Sequence, residues 1–265
     1  MLIAARQAPT ANKYAPRRQR SSFAAGQLRW YFGPSIKLWI DAVRDRSATG
    51  NSVAGTKDRS GADVSITQTT ASKQPIKDAV QGIHGFKFDG VNDALQVAAI
   101  NNTATSAISV VCAYAKNTGA QGVIIEASIN ANTSATGWNC ITNDTIAGQD
   151  AWAFQGNVGY GYRSFAGAAV GSWTSSVCVI NKALASGQEI KIYRAGNEIT
   201  QFVATIDSNN TNAFGTDPIY IGSRNNGAAL PTTASISQVI LLGRALTAAE
   251  AKLASILVGQ AAGIP

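Results

Sequence analysis

From Ile36 onward the chain is punctuated in a way that rules out most folds. Short segments with apolar residues at every second position are broken by turn residues at intervals of roughly 8–15 residues. In Glu189-Ile190-Lys191-Ile192-Tyr193, an extended backbone turns Ile190 and Ile192 one way and Lys191 and Tyr193 the other. The same logic predicts strands at Ile36–Asp41, Val64–Thr67, Gly85–Asp89, Ala94–Ala98, Ile108–Ala115, Gly122–Ala127 and Gly137–Thr142. It predicts more at Ala151–Gln155, Val158–Arg163, Trp173–Ile180, Glu189–Arg194, Ile199–Ile206, Pro218–Gly222 and Ser235–Leu242. Asp89-Gly90, Ala195-Gly196-Asn197 and Asn225-Asn226-Gly227 supply turns. One helix is marked: Thr247 and Glu250 form a capping box, the following residues favour helix, and Gly259 is positioned to close it. Many strands and one late helix define an all-β antiparallel sandwich or barrel rather than an alternating α/β sheet.

The segment before Ile36 is of another kind. Residues 1–27 show neither helical nor strand periodicity, and Leu28-Arg29-Trp30-Tyr31-Phe32 closes the segment with aromatics before Gly33-Pro34. Residues 1–35 are therefore predicted to be a basic extended arm, mobile alone and ordered by a partner, with 36–265 forming the sandwich. Arg6, Lys13, Arg17, Arg18, Arg20, Arg29 and Lys37 precede the first acid, Asp41, and equal the whole net charge of +7. The body beyond them is neutral. Arg6, Lys13, Arg17, Arg18, Arg20, Arg29, Trp30, Tyr31 and Phe32 are the candidate partner-binding residues, with the aromatics as buried anchors. Arg17-Arg18-x-Arg20 is too short a cluster to specify nucleic acid, so a charged tether to a protein is the preferred reading.

Several classes of chemistry find no footing. Arg6 and Pro9 interrupt the start of the chain and no apolar signal core follows, so synthesis in the cytoplasm is expected. The apolar run Ala107–Ala115 is far short of the roughly 18–20 residues that span a bilayer. Cys112, Cys140 and Cys178 are odd in number and widely spaced, which suits buried small side chains better than a disulfide framework or zinc site. His84 is the sole histidine, and no GxSxG elbow accompanies it. Gly156-Asn157-Val158-Gly159-Tyr160-Gly161 lacks the Lys-Ser/Thr of a phosphate loop and reads as a hairpin.

A family resemblance runs through these segments in order. Ile36-Lys37-Leu38-Trp39-Ile40-Asp41 and Gly85-Phe86-Lys87-Phe88-Asp89-Gly90-Val91-Asn92-Asp93-Ala94-Leu95 resemble the opening of concanavalin A-like, laminin G-like domains. Trp173 with Ile192-Tyr193-Arg194-Ala195-Gly196, then Ile219-Tyr220-Ile221-Gly222, resemble that family's later strands. Ile236-Ser237-Gln238-Val239 and Arg244-Ala245-Leu246-Thr247 with Glu250 resemble its close. The resemblance implies a two-sheet jelly-roll, a fold that hosts lectins, glycanases, adhesion modules and phage particle proteins.

Glycanases of this family carry paired carboxylates on one strand, as E-x-D-x-x-E, and no such pattern occurs here. The resemblance also raises calcium, for which Asp89, Asn92 and Asp93, with Asp144 or Asp217 further off, are weak candidates; hydrogen-bonded turns are the preferred reading of these residues. Trp138, Trp152, Phe154, Tyr160, Tyr162, Phe165 and Trp173 crowd a stretch of 36 residues. Trp138, Trp152, Tyr160 and Tyr162 are candidate glycan contacts, and core packing is the competing account. The expectation for the whole is a non-enzymatic protein of a phage particle, without a cofactor. It would be a head decoration, fibre or tail-associated subunit on the virion exterior, bound by its arm to capsid or tail subunits. It would be oligomeric and able to touch a host glycan; a free carbohydrate-binding lectin is the alternative.

Overall fold

A strand with one apolar face is stable only when that face is covered, and these strands cover one another as two packed antiparallel sheets. The computed structural model describes residues 17–45, 49–131, 133–143, 148–208 and 210–264. Arg6, Lys13 and Asp144 lie outside these residues. The chain begins with α1 (Arg17–Phe32), β1 (Ile36–Asp41), β2 (Ile66–Thr67), β3 (Ile76–Val80), β4 (Ile83–Lys87) and β5 (Leu95–Asn101). It continues through β6 (Ala107–Lys116), β7 (Gly122–Ala127), β8 (Trp138–Thr142), β9 (Gln149–Gln155), β10 (Tyr160–Ala166) and β11 (Trp173–Asn181). It ends with β12 (Ile190–Arg194), β13 (Asn197–Ile199), β14 (Ala204–Ile206), β15 (Thr216–Ile221), β16 (Ala234–Leu242) and α2 (Ala248–Ala262).

The first sheet is ordered β13-β12-β11-β6-β16-β4-β3, and β1 pairs with the later part of β16. The second is ordered β14-β10-β9-β8-β7-β15-β5-β2. Their facing sides form the main core, where Phe86, Phe88, Tyr114, Trp138, Trp152 and Phe165 are among the largest side chains. Within it, Lys116 on β6 donates to Asp150 on β9 at 3.0 Å, and the Tyr114 hydroxyl donates to the other oxygen of Asp150 at 2.9 Å. This fully buried ion pair joins the two sheets. Cys112, Cys140 and Cys178 are buried and free, and burial pushes all three thiols up.

A second apolar cluster covers the outer side of the first sheet. Trp39, Val111, Val177 and Ile240 point outward there, under residues of α1 and α2. Central strands β6 and β16 are therefore dry on both faces, which is why Ala107–Ala115 reads as an apolar run rather than an alternation. α2 starts at the expected capping box but does not stop at Gly259. It runs on to Ala262 and ends at Gly263, whose φ of 90° is the left-handed closing conformation. Gly259 instead lets the helix sit close on β11, since a Cβ there would lie 3.3 Å from the Ser175 hydroxyl.

Three expectations are corrected. Residues 17–32 are a helix and not an extended arm: Ala24, Ala25, Leu28 and Phe32 form a buried stripe packed beside α2. Little in the sequence announces this helix. Its first turn holds Arg17, Arg18 and Arg20 against the positive end of the helix dipole, and Gly26 interrupts its middle. Ile199–Ile206 is not one strand; β13 closes the edge of the first sheet, residues 200–203 cross over, and β14 closes the edge of the second. β3, absent from the predicted strands, forms a hairpin with β4 through Gln81 and Gly82, both left-handed.

If α1 is held by its buried stripe, Leu28→Ala should lower unfolding stability by roughly 2–4 kcal/mol in urea titrations. Trp30→Ala, on the 60% exposed side of the same helix, should change it by less than about 0.5 kcal/mol.

Candidate functional site

Strand alternation sorts the aromatic cluster by face. Trp138, Trp152, Phe154 and Phe165 point between the sheets. Trp138 is 1% exposed and Trp152 0%, so neither is available to a sugar, and this corrects their candidacy as glycan contacts. Tyr160 and Tyr162 point the other way, onto the outer face of the second sheet. Tyr162 stands opposite Ala153 on one side and Ile206 on the other, and Tyr160 opposite Gln155. Tyr160 is 42% exposed and Tyr162 half-buried. Gly161 between them is required by packing, since a Cβ there would fall inside the Phe154 ring.

Register extends this face into a continuous row. Gln96, Tyr220, Glu126, Asn139, Ala153, Tyr162 and Ile206 are successive cross-strand partners across six neighbouring strand pairs. Directly opposed side chains in such a row sit about 4.5–5.5 Å apart at Cβ. Glu126 is fully buried; it accepts from Arg224 Nε at 2.9 and 3.0 Å and from the Ala131 amide at 2.6 Å. Burial pushes its carboxyl up, and these donors partly offset the effect. Asn139, beside it, is buried with neither amide atom hydrogen-bonded, as is the Ser128 hydroxyl. Ala153, small and partly buried, lies between Asn139 and Tyr162 in the row.

The row has an aromatic end, where Tyr160 and Tyr162 stand on the outer face, and a polar end at Glu126 and Asn139 that is buried. The tyrosines suit a ring whose apolar face lies on them. Glycoside hydrolysis by paired carboxylates needs a second carboxylate near the first. The cross-strand neighbours of Glu126 are Tyr220 and Asn139, and its own oxygens are engaged by Arg224. Sequence reasoning missed Glu126, Ser128, Asn139, Tyr220 and Arg224. The available signal was a single charge in the apolar strand Gly-Val-Ile-Ile-Glu-Ala, and an amide between Trp138 and Cys140.

The calcium candidates are committed to turns. Asp89 accepts from the amides of Val91 and Asn92, and Asp93 accepts from the amide of Asp89 at 2.9 Å. Asp217 accepts from the Thr136 hydroxyl at the opposite end of β15. Among the described residues, no three His, Cys, Asp or Glu side chains gather as a metal site. His84 is exposed on β4.

The arm candidates divide as well. Phe32 is buried against its own sandwich, which corrects its role as a partner anchor, and Tyr31 packs partly on the same cluster. Trp30 remains exposed, edge-on to Tyr31 at 4.5 Å, and Arg29 donates to the Arg59 carbonyl. Arg17, Arg18 and Arg20 lie in the first turn of α1. Among the described residues no helix is long and apolar enough to cross a membrane.

A family model described as the concanavalin A-like lectin/glucanases superfamily matches residues 89–252. No curated protein sequence matches the chain. Among solved structures it is similar to the ligand binding domain of botulinum neurotoxin serotype D, solved with N-acetylneuraminic acid, at 15% identity and a TM-score of 0.60. That match covers 89% of this chain and 53% of the other. The receptor binding domain of a C/D mosaic botulinum neurotoxin gives 15% identity and 0.59, over 86% and 52%. A Trypanosoma rangeli sialidase, in complex with 2,3-difluorosialic acid as a covalent intermediate, gives 12% and 0.54, over 86% and 33%. The chain thus spans about half the length of the toxin domains and a third of the sialidase, and likeness at these identities is likeness of fold.

Burial pushes the Asp93 carboxyl up to about 6, with the Asp89 charge adding to it and the Asp89 amide opposing. The folded state therefore holds this proton more tightly than the unfolded chain does, and stability falls as pH rises from the ordinary 3.8 to about 6. Asp93→Asn should flatten that part of a denaturation-midpoint profile. A midpoint raised by added calcium at the upper end of this window would instead show an ion at the turn.

Proposed function

Because the chain belongs to the concanavalin A-like lectin/glucanases superfamily, we propose that its body is a glycan-binding domain without catalytic activity. One observation carries the proposal: Tyr160 and Tyr162 project from the outer face of the second sheet beside Ala153. An aromatic platform of this kind is one physical means of holding a sugar ring in water. The toxin domain of similar fold, solved with N-acetylneuraminic acid, supports a sugar as ligand class. Binding rather than turnover follows from the lone, arginine-held carboxylate of the row.

The wider setting we infer is the exterior of a phage particle, after synthesis in the host cytoplasm. Basic residues from Arg6 to Arg20, with Arg29 and Trp30, would lie against acidic capsid or tail subunits, and copies of the chain would act together. The concentration of the net charge ahead of a neutral body supports this division.

Tyr160→Ala with Tyr162→Ala should weaken binding on a glycan array or in calorimetry by at least about tenfold, equivalent to about 1.4 kcal/mol. The melting temperature should stay within about 2 °C, whereas Trp152→Ala should lower it strongly through the core. Unchanged affinity in the double variant would sink the tyrosine pair as the site. Removing residues 1–16 together with charge reversal at Arg17, Arg18 and Arg20 should abolish incorporation into particles and leave glycan binding intact; normal incorporation would end the tether proposal.

A further inference from the structure

An amine, a carboxamide and a carboxylate meet between the sheets, closed to solvent. Lys116 ends β6, Asp150 lies on β9, and Asn143 follows the last residue of β8. Their exposures are 1%, 0% and 4% in the order Lys116, Asp150, Asn143. Lys116 Nζ donates to Asp150 Oδ1 at 3.0 Å and to the Asn143 side-chain oxygen at 3.3 Å. The Asn143 amide nitrogen donates to the Thr118 and Ala120 carbonyls, each at 3.1 Å, which holds the oxygen toward the lysine. Gly167 closes over the cluster, since a Cβ there would lie 2.5 Å from Lys116 Nζ and 2.8 Å from Asp150 Oδ1. An ion pair needs only the carboxylate. A carboxamide held against the same amine adds an electrophile, and the carboxylate can move protons between the two.

We propose that Lys116 and Asn143 join through an intramolecular amide bond, with Asp150 as the proton carrier. The Asn143 Cγ is one bond beyond its oxygen, so it stands no more than about 4.5 Å from Nζ. Movement of ~1 Å in the lysine stem brings the pair to the roughly 3–3.5 Å of an attacking geometry. Nζ gives one proton to Asp150, and the freed lone pair attacks Cγ. A second Nζ proton passes by way of Asp150 to Nδ2, the Cγ–Nδ2 bond breaks, and ammonia leaves. Asp150 remains protonated beside the new amide, so atoms and charge balance without an oxidant or cofactor. Asn143 and not Asp150 is the electrophile: a carboxylate repels an incoming lone pair, and the other Asp150 oxygen is held by the Tyr114 hydroxyl at 2.9 Å. Burial suits the reaction, because no outside reactant is needed and a dry site keeps water from competing for the carbonyl. The departing nitrogen faces Thr118 and Ala120 of an exposed turn, which gives ammonia its way out. The bond closes a loop that contains β7 and β8 and fixes the central strand of the first sheet to the second. It stands whether or not the domain binds a glycan.

The test is tandem mass spectrometry of a tryptic digest of the full chain, purified folded and then denatured. A branched peptide joining Lys116 to Asn143 is expected, lighter than the two separate peptides together by one ammonia, with no cleavage after Lys116. Asp150→Asn, close to the original in shape, should abolish the branch; if that variant does not fold, the wild-type digest alone decides. Lys182 is an internal control. It meets the Asn212 side-chain oxygen at 3.2 Å, but among the described residues no carboxylate forms an ion pair with it, so this pair should stay unlinked. A wild-type chain without the branch, a branch to Asp150 with loss of water, or a branch at Lys182 would overturn the inference, as would a branch undiminished in Asp150→Asn.

Discussion

At its central strands β6, β11 and β16 the first sheet has no wet side, and most of the molecule's organisation follows from that. Its inner face meets the second sheet, and its outer face lies under α1 and α2, where Leu28, Trp39, Val111, Ile240 and Val258 share one cluster. Strands buried on both faces cannot present side chains to a ligand. The tyrosines of the candidate site stand on the outer face of the second sheet, away from the cluster that holds the helices.

Burying charge inside such a sandwich requires close pairing, and the chain meets this with Lys116, Asp150 and Tyr114. An ion pair of this kind adds little net stability over an apolar replacement, and breaking it by removing one partner is costly. Its position matters more than its strength. It ties β6 of one sheet to β9 of the other, and β9 also supplies Ala151 and Ala153 to the outer face. The strand that carries Ala153 is in this way held against the central strand of the opposite sheet.

Much of the fold could be read in the sequence because extended segments carry a period of two and end at recognisable turns. β1 and β7 matched their predicted bounds, and the Thr247–Glu250 cap began α2 where expected. α1 could not be read, because its buried stripe of Ala24, Ala25, Leu28 and Phe32 becomes meaningful only with α2 beside it. The site was legible in part for the same reason. Spacing of two correctly paired Tyr160 with Tyr162 and Trp152 with Phe154, but the sign of each face depends on which side the other sheet packs. Asn139 and Glu126 gave no distinctive pattern, since their meaning arises from strand pairing between residues distant in the chain.

The crossover at residues 200–203 has a bearing on how molecules meet one another. It leaves β13 and β14 as the terminal strands on that side of both sheets, each only Asn197–Ile199 and Ala204–Ile206 in extent. Three residues offer too few free amides and carbonyls to recruit a foreign strand. That side of the domain therefore gives a neighbouring copy little strand edge to pair with.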